Sequence, residues 1–229
     1  MAPAKAVFTR ETFQFFKDLA RHNHKEWMDA HRDRYQAALV QPFRQLLEEL
    51  APTALELDSR FDTSGRIGAN FSRINRDIRF AKDKTLYKTH MYLKVSVPPP
   101  AKRETGQLYV GLSADTATAG FRIYSGGKRK ESTLALIAEP RVMADSRWVA
   151  KQKTCLGRRY ESYWYKTVKG EWTKHSGWPV SIDDWKKLQA WIVRRKFAPS
   201  AATRPPFVRD VAKIFRELYP LLRFTSLPE

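Results

Sequence analysis

Residues 73–90, RINRDIRFAKDKTLYKTH, place six Lys/Arg, two Asp and one His within eighteen positions. Arginine carries a planar fork of donors that fits a phosphate or carboxylate bidentately, and lysine adds a mobile point charge. Arg73, Arg76, Arg79, Lys84, Lys88 and His90 are therefore candidate ligands for a dianionic group, and Tyr87 adds a hydroxyl or a stacking surface. Asp77 lies between Arg76 and Arg79, where it would orient guanidiniums and stay ionised; Asp83 beside Lys84 could do the same. If the segment is catalytic, Asp77 and Asp83 are the candidates for general base or metal ligand, with the arginines stabilising the charge that develops. The same residue types also make a purely structural Arg–Asp network.

The elements that must position these residues follow from periodicity. In FSRINRDIRF, Ile74, Ile78 and Phe80 alternate with Arg73, Asn75, Asp77 and Arg79, which predicts a strand with one buried and one polar face. Arg76 falls on the apolar side, and a helix competes because Arg73 and Asp77 are i,i+4 partners. AKDKTL reads as a loop. The following YKTHMYLKVSV alternates again, with Lys88, His90 and Lys94 on its polar side. If the two strands pair, the basic side chains form one patch.

Upstream, Thr9 is a candidate N-cap for a helix carrying Phe13, Phe16 and Ala20. RHNHK interrupts it, and a longer helix over about 24–50 carries Tyr35, Leu39, Phe43, Leu46, Leu47 and Leu50 on one stripe. Downstream, PPPAKRETG is a break. QLYVGLS, GFRIYSGG and YESYWYKTV read as strands. Helices are expected at about 129–139 and 141–153, parted at Pro140. Ser181 with Asp184 makes a capping signature before a helix over 182–195, and Pro220 is expected to cut the last helix. The expectation is one α+β domain over 1–229: a helical part at about 8–50, a sheet-rich middle at about 70–168 and C-terminal helices at about 181–223. The sheet would be antiparallel or mixed, with N-terminal and C-terminal helices flanking it.

Composition bounds the function. Hydrophobic residues make up 42% of 229, enough for a sizeable core and unlike a disordered chain. No apolar run reaches the ~18 residues of a membrane span. MAPAKAVFTRE has no apolar signal core, and Cys155 is the single cysteine, so no disulfide within the chain is possible. These features point to a reduced, cytoplasmic protein. Net charge is +18, yet residues 1–70 are balanced at ten basic and ten acidic side chains, so the excess begins at the quoted stretch. Such asymmetry suits an anionic partner: nucleic acid, a phosphorylated metabolite or an acidic headgroup.

The central stretch resembles the signature of a sparsely distributed domain-of-unknown-function family of bacterial proteins with fungal relatives, R-x-x-R-D-x-R-F-x-x-D-K-x-x-Y-K. It is filled here by Arg73, Arg76, Asp77, Arg79, Phe80, Asp83, Lys84, Tyr87 and Lys88. The opening is similar too, through Phe16, Asn23, Lys25, Trp27 and Tyr35, as is the ending FRELYPLLRF. His22 departs from a usual Asn–Asn pair, and Leu86 stands where Pro often precedes the Tyr. The resemblance implies a shared fold and a shared site, and it implies no reaction.

Other motifs carry less. HNH at 22–24 lacks the spread of a nuclease motif and reads as a turn between helices, and the five histidines show no metal-ligand spacing, so no metal site is expected. Asp77 with Asp83–Lys84 has its lysine one place too early for a metal-dependent nuclease. Cys155 has no accompanying His or acid. YSGGKRK at 124–130 is a turn with a basic helix start or an auxiliary phosphate contact. YESYWYK at 160–166, with Trp172, Trp178 and nearby lysines, fits a core strand or a single-strand-binding surface. The leading reading is a protein that binds a phosphate-bearing ligand, nucleic acid above all, through the basic motif. An enzyme acting on a phosphorylated small molecule or phosphodiester is the alternative, and a salt-bridge network is the second. Enzymatic activity, cofactors and oligomeric state stay open.

Overall fold

The computed structural model describes residues 6–98, 106–125, 140–168 and 171–226. Its architecture is α+β, a six-stranded antiparallel sheet with helices before and after it. The first helical part comprises α1 (Arg10–Arg21), α2 (Lys25–Ala30), α3 (Arg32–Tyr35), a π-helical turn (Gln36–Val40) and α4 (Gln41–Leu57). Then come β1 (His90–Val95), β2 (Gln107–Ser113), β3 (Ala117–Tyr124), helical turn α5 (140–144), α6 (Ser146–Leu156), β4 (Glu161–Val168) and β5 (Glu171–Ser176). α7 (Ile182–Lys186), β6 (Leu188–Phe197), α8 (Pro199–Ala202) and α9 (Phe207–Thr225) complete the order. The strand order is β1-β2-β3-β6-β4-β5. No helix among the described residues is long and apolar enough to cross a membrane.

The chain divides into two compact units. One is Met1–Val95, Val110–Thr118 and Lys196–Lys213; the other is Ser96–Tyr109, Ala119–Arg195 and Ile214–Glu229. The first is built on aromatic packing: Phe8 meets Phe43 at 5.3 Å and Phe207 at 5.9 Å, both edge-on. Phe13, Phe16 and Leu19 of α1 and Leu39, Leu46 and Leu50 of the following helices are buried. Edge-to-face rings bury large area in favourable quadrupole geometry. Met91, Leu93 and Val95 point inward from β1 in strict alternation, as period 2 requires. The second unit centres on Trp191, which meets Trp178, Trp185 and Phe121 edge-on at 5.5, 5.4 and 5.7 Å. Its indole N–H donates to the Ser162 hydroxyl at 3.0 Å, so the ring is buried without an orphaned donor.

Four expectations change. The helix over 24–50 is broken at His31 and passes through the π turn just before Pro42, which has no N–H to continue the ladder. The helix over 182–195 ends at Lys186. Its cap is present, with Asp184 N–H donating to Ser181 Oγ at 3.2 Å, but Leu188–Val193 is buried on both faces as the strand between β3 and β4. A short apolar run of this kind does not reveal its period. Pro220 does not cut α9, because Ile214, Phe215, Leu218, Leu221 and Leu222 form one buried face across it. The fourth, the strand over 73–80, is replaced by irregular chain. The expected helix at 129–139 lies outside the described residues, while 141–153 falls on α5 and α6.

Candidate functional site

Residues 71–94 run out and back beside themselves, joined by isolated bridges in place of a ladder. Phe71 pairs with Leu93 and Asn75 with Tyr87, both antiparallel. Ser72 N–H donates to the Tyr92 carbonyl (2.9 Å), Lys88 N–H to Ile74 (2.8 Å) and Arg76 N–H to Leu86 (2.8 Å). The two registers differ, so no continuous strand forms and residues 77–85 stand out as a loop. Ile74 is buried as the alternation predicts, but Phe80 is 95% exposed.

Within that loop the charges are sorted into separate groups. The Arg76 guanidinium, whose side chain is 27% exposed, binds the Asp83 carboxylate and the Thr85 hydroxyl. Asp83 also accepts the Thr85 N–H at 2.9 Å, which closes a small turn. The Arg76 hydrogen bond first, and then the Thr85 donors, hold the Asp83 carboxyl well below the usual range, at about 2. Asp77 binds Arg79 bidentately at 2.9 and 2.7 Å, with the arginine 76% exposed. This pairing lowers the Asp77 pKa and raises that of Arg79. Lys84 Nζ donates to the Ile78 carbonyl at 3.0 Å. Arg79 lies over the Phe80 ring at 6.0 Å. Asp77 therefore orients Arg79 and not Arg76, and Asp83 orients Arg76 and not Lys84. A carboxylate held this firmly in its ionised form is a poor proton acceptor near neutral pH.

The stem of the loop is anchored from α2's leading turn. Asn23 Nδ2 donates to the Tyr87 carbonyl and Tyr87 N–H donates to Asn23 Oδ1, each at 2.8 Å. Tyr87 is buried and belongs to the first unit's core. Lys88 is half-buried, with its backbone on Ile74. His90 opens β1 and meets Tyr92 edge-on at 5.3 Å. Arg73 is exposed, with no hydrogen bond or ion pair among the described residues. The structure thus joins Arg76 to Asp83 and Thr85, pairs Asp77 with Arg79 in the same loop, ties Lys84 to the Ile78 carbonyl, and leaves Tyr87 and His90 in the stem.

Elsewhere, HNH is a turn, with His22 capping the end of α1 and His24 the start of α2. No three His, Cys, Asp or Glu side chains converge among the described residues. Of YSGGKRK, residues 126–130 lie outside the described residues. YESYWYK is split by its alternation: Trp164 is buried, while Tyr163 and Tyr165 are half-buried.

The charge pattern of the sequence does not single out Thr85. Its signal is the spacing Asp83-x-Thr85, which lets a side-chain oxygen meet the N–H two residues on. Alternation predicts Phe80 to point inward, but the pairing that would enforce it ends at the Asn75–Tyr87 bridge. Comparison with known families matches residues 11–224 to the one described as conserved hypothetical protein DUF2461, and the chain belongs to that family. None of the curated proteins matches it.

Proposed function

We propose that the loop of residues 73–88 binds a phosphate-bearing polyanion, nucleic acid above all. The observation that carries this reading is Phe80, almost wholly exposed at the loop and surrounded in sequence by Arg79, Lys82 and Lys84. A bare aromatic ring among cations offers a stacking face for a base and donors for the adjoining phosphates. Arg73, Arg79, Lys84 and Lys88 are the phosphate contacts in this reading. Arg76 with Asp83 and Thr85 is the strut that shapes the loop, so the structural-network reading applies to that part of the motif. Asp77 positions Arg79.

Binding of fluorescein-labelled DNA and RNA, read by anisotropy, tests the proposal with Phe80→Ala and Arg79→Ala. Both residues are exposed, so both variants should stay folded and lose affinity severalfold. Unchanged affinity in the two folded variants contradicts the reading.

A further inference from the structure

The second unit carries a different surface with its own chemistry. In the β4–β5 register Tyr163 lies opposite Ser176, Trp164 opposite His175 and Tyr165 opposite Lys174. In the β4–β6 register Glu161 lies opposite Arg194, Tyr163 opposite Ile192 and Trp164 opposite Trp191. Residues directly opposite share a face, and neighbours along a strand alternate. Trp164 and Trp191 therefore belong to one face, where both are buried. Tyr163, Tyr165, Lys174 and Arg194 belong to the other, which is buried at Ala190 and Ile192 on β6 and opens at Trp172 and Lys174 on β5.

On that other face the aromatics form a row. Tyr163 and Tyr165 are 6.2 Å apart, and Tyr165 and Trp172 are again 6.2 Å apart. Trp172 is 45% exposed on β5, the edge strand of the sheet. Lys174 Nζ sits 4.3 Å from the Tyr163 ring centre and Arg194 Cζ 5.0 Å from the same ring. Glu161 accepts from Arg194 Nε at 2.9 Å and fixes the guanidinium over the ring. The row thus ends in a fixed cationic group at Tyr163 and an open indole at Trp172.

We infer that this face of β4 and β5 binds single-stranded nucleic acid. Trp172 and Tyr165 stack on unpaired bases, and Lys174 and Arg194 meet the phosphates between them. A base offers its ring face only when it is out of a duplex, so the aromatic row selects single strands. Charge complementarity supports this occupant: Lys174 and Arg194 both flank the Tyr163 ring, and of the two only Arg194 is paired with Glu161. The surface shares no residue with the loop of 73–88, and the two proposals stand or fall separately.

The test uses the full chain and a fluorescein-labelled twelve-nucleotide oligo-dT, with its duplex form as comparison. Trp172→Ala and Lys174→Ala change exposed edge-strand side chains, and circular dichroism confirms their folding. Trp172→Ala should weaken oligo-dT binding roughly 5- to 150-fold, the range for one stacked base. Lys174→Ala should weaken it less and flatten its salt dependence. The loss caused by Trp172→Ala should persist when it is introduced together with Phe80→Ala. Equal affinity for single strand and duplex, or oligo-dT binding that ignores Trp172 and Lys174, overturns the inference. Binding lost only in the loop variants overturns it while supporting the loop proposal.

Discussion

Asn23 and Tyr87, 64 residues apart, are joined by two reciprocal 2.8 Å hydrogen bonds between a side-chain amide and a backbone peptide. The amide supplies a donor and an acceptor in the spacing of a strand neighbour, so it stands where a backbone would in a regular sheet. Removing it leaves a part-buried N–H and C=O unpaired. Asn23→Ala should lower stability by about 1–3 kcal/mol. Asn23→Asp keeps the acceptor and loses the donor, so it should fall between wild type and Asn23→Ala. Urea unfolding with an unchanged m-value is the measurement.

The Arg76–Asp83 contact predicts a pH dependence. The folded pKa of Asp83, about 2, lies below the ordinary aspartate value. A depressed folded pKa contributes stability above the unfolded pKa, and that contribution is lost as pH falls through the folded value. Comparing wild type with Asp83→Asn by urea unfolding should show a difference at pH 5–7 that shrinks between pH 4 and pH 2. The pair is solvent-exposed, so raising salt should reduce the difference too.

Packing around Trp191 sets a third expectation. The ring touches three other aromatic side chains and satisfies its N–H on Ser162. Trp191→Ala should cost about 3–5 kcal/mol, the range for truncating a large buried aromatic. Near-UV circular dichroism should lose aromatic intensity together with the thermal midpoint.

A fourth expectation concerns Gly120 in β3. A Cβ there would come within 2.8 Å of Arg194 Cα and would meet the Val193 carbonyl oxygen more closely still. Backbone atoms cannot yield as a flexible side chain would, so Gly120→Ala should part β3 from β6. It should destabilise the fold well beyond the ordinary helix or strand propensity difference of about 1 kcal/mol. Hydrogen exchange should show the β6 amides losing protection first.

The sequence made legible what rests on strong local periodicity: α1, β1 and the alternation of β4. It misled where length and chemistry competed. Leu188–Val193 is apolar apart from Gln189, and a fully buried strand looks like a buried helix until its neighbours are known. Pro220 looked like a break because the cost of a missing N–H is local, whereas the buried face of α9 that offsets it is tertiary. In the candidate site the basic residues were visible, but their pairing was not. Asp77 reaches Arg79 within its own short turn, where the Arg79 N–H also donates to it, whereas Asp83 reaches Arg76 because the chain turns at 83–85, and that turn is written only in an Asp-x-Thr spacing. Phe80 shows the limit of alternation most plainly. The pattern continued in sequence after the bridges had ended in space.

The most direct test of the central claim is the salt dependence of nucleic-acid binding by wild type, Phe80→Ala, Arg79→Ala and Lys84→Ala, measured by anisotropy over a series of salt concentrations. Each phosphate contact contributes about one unit to the slope of log K against log salt. The loop reading predicts a slope lowered by about 1 in Arg79→Ala and in Lys84→Ala, and a weaker K at unchanged slope in Phe80→Ala. Slopes and affinities identical in all four folded proteins would contradict it.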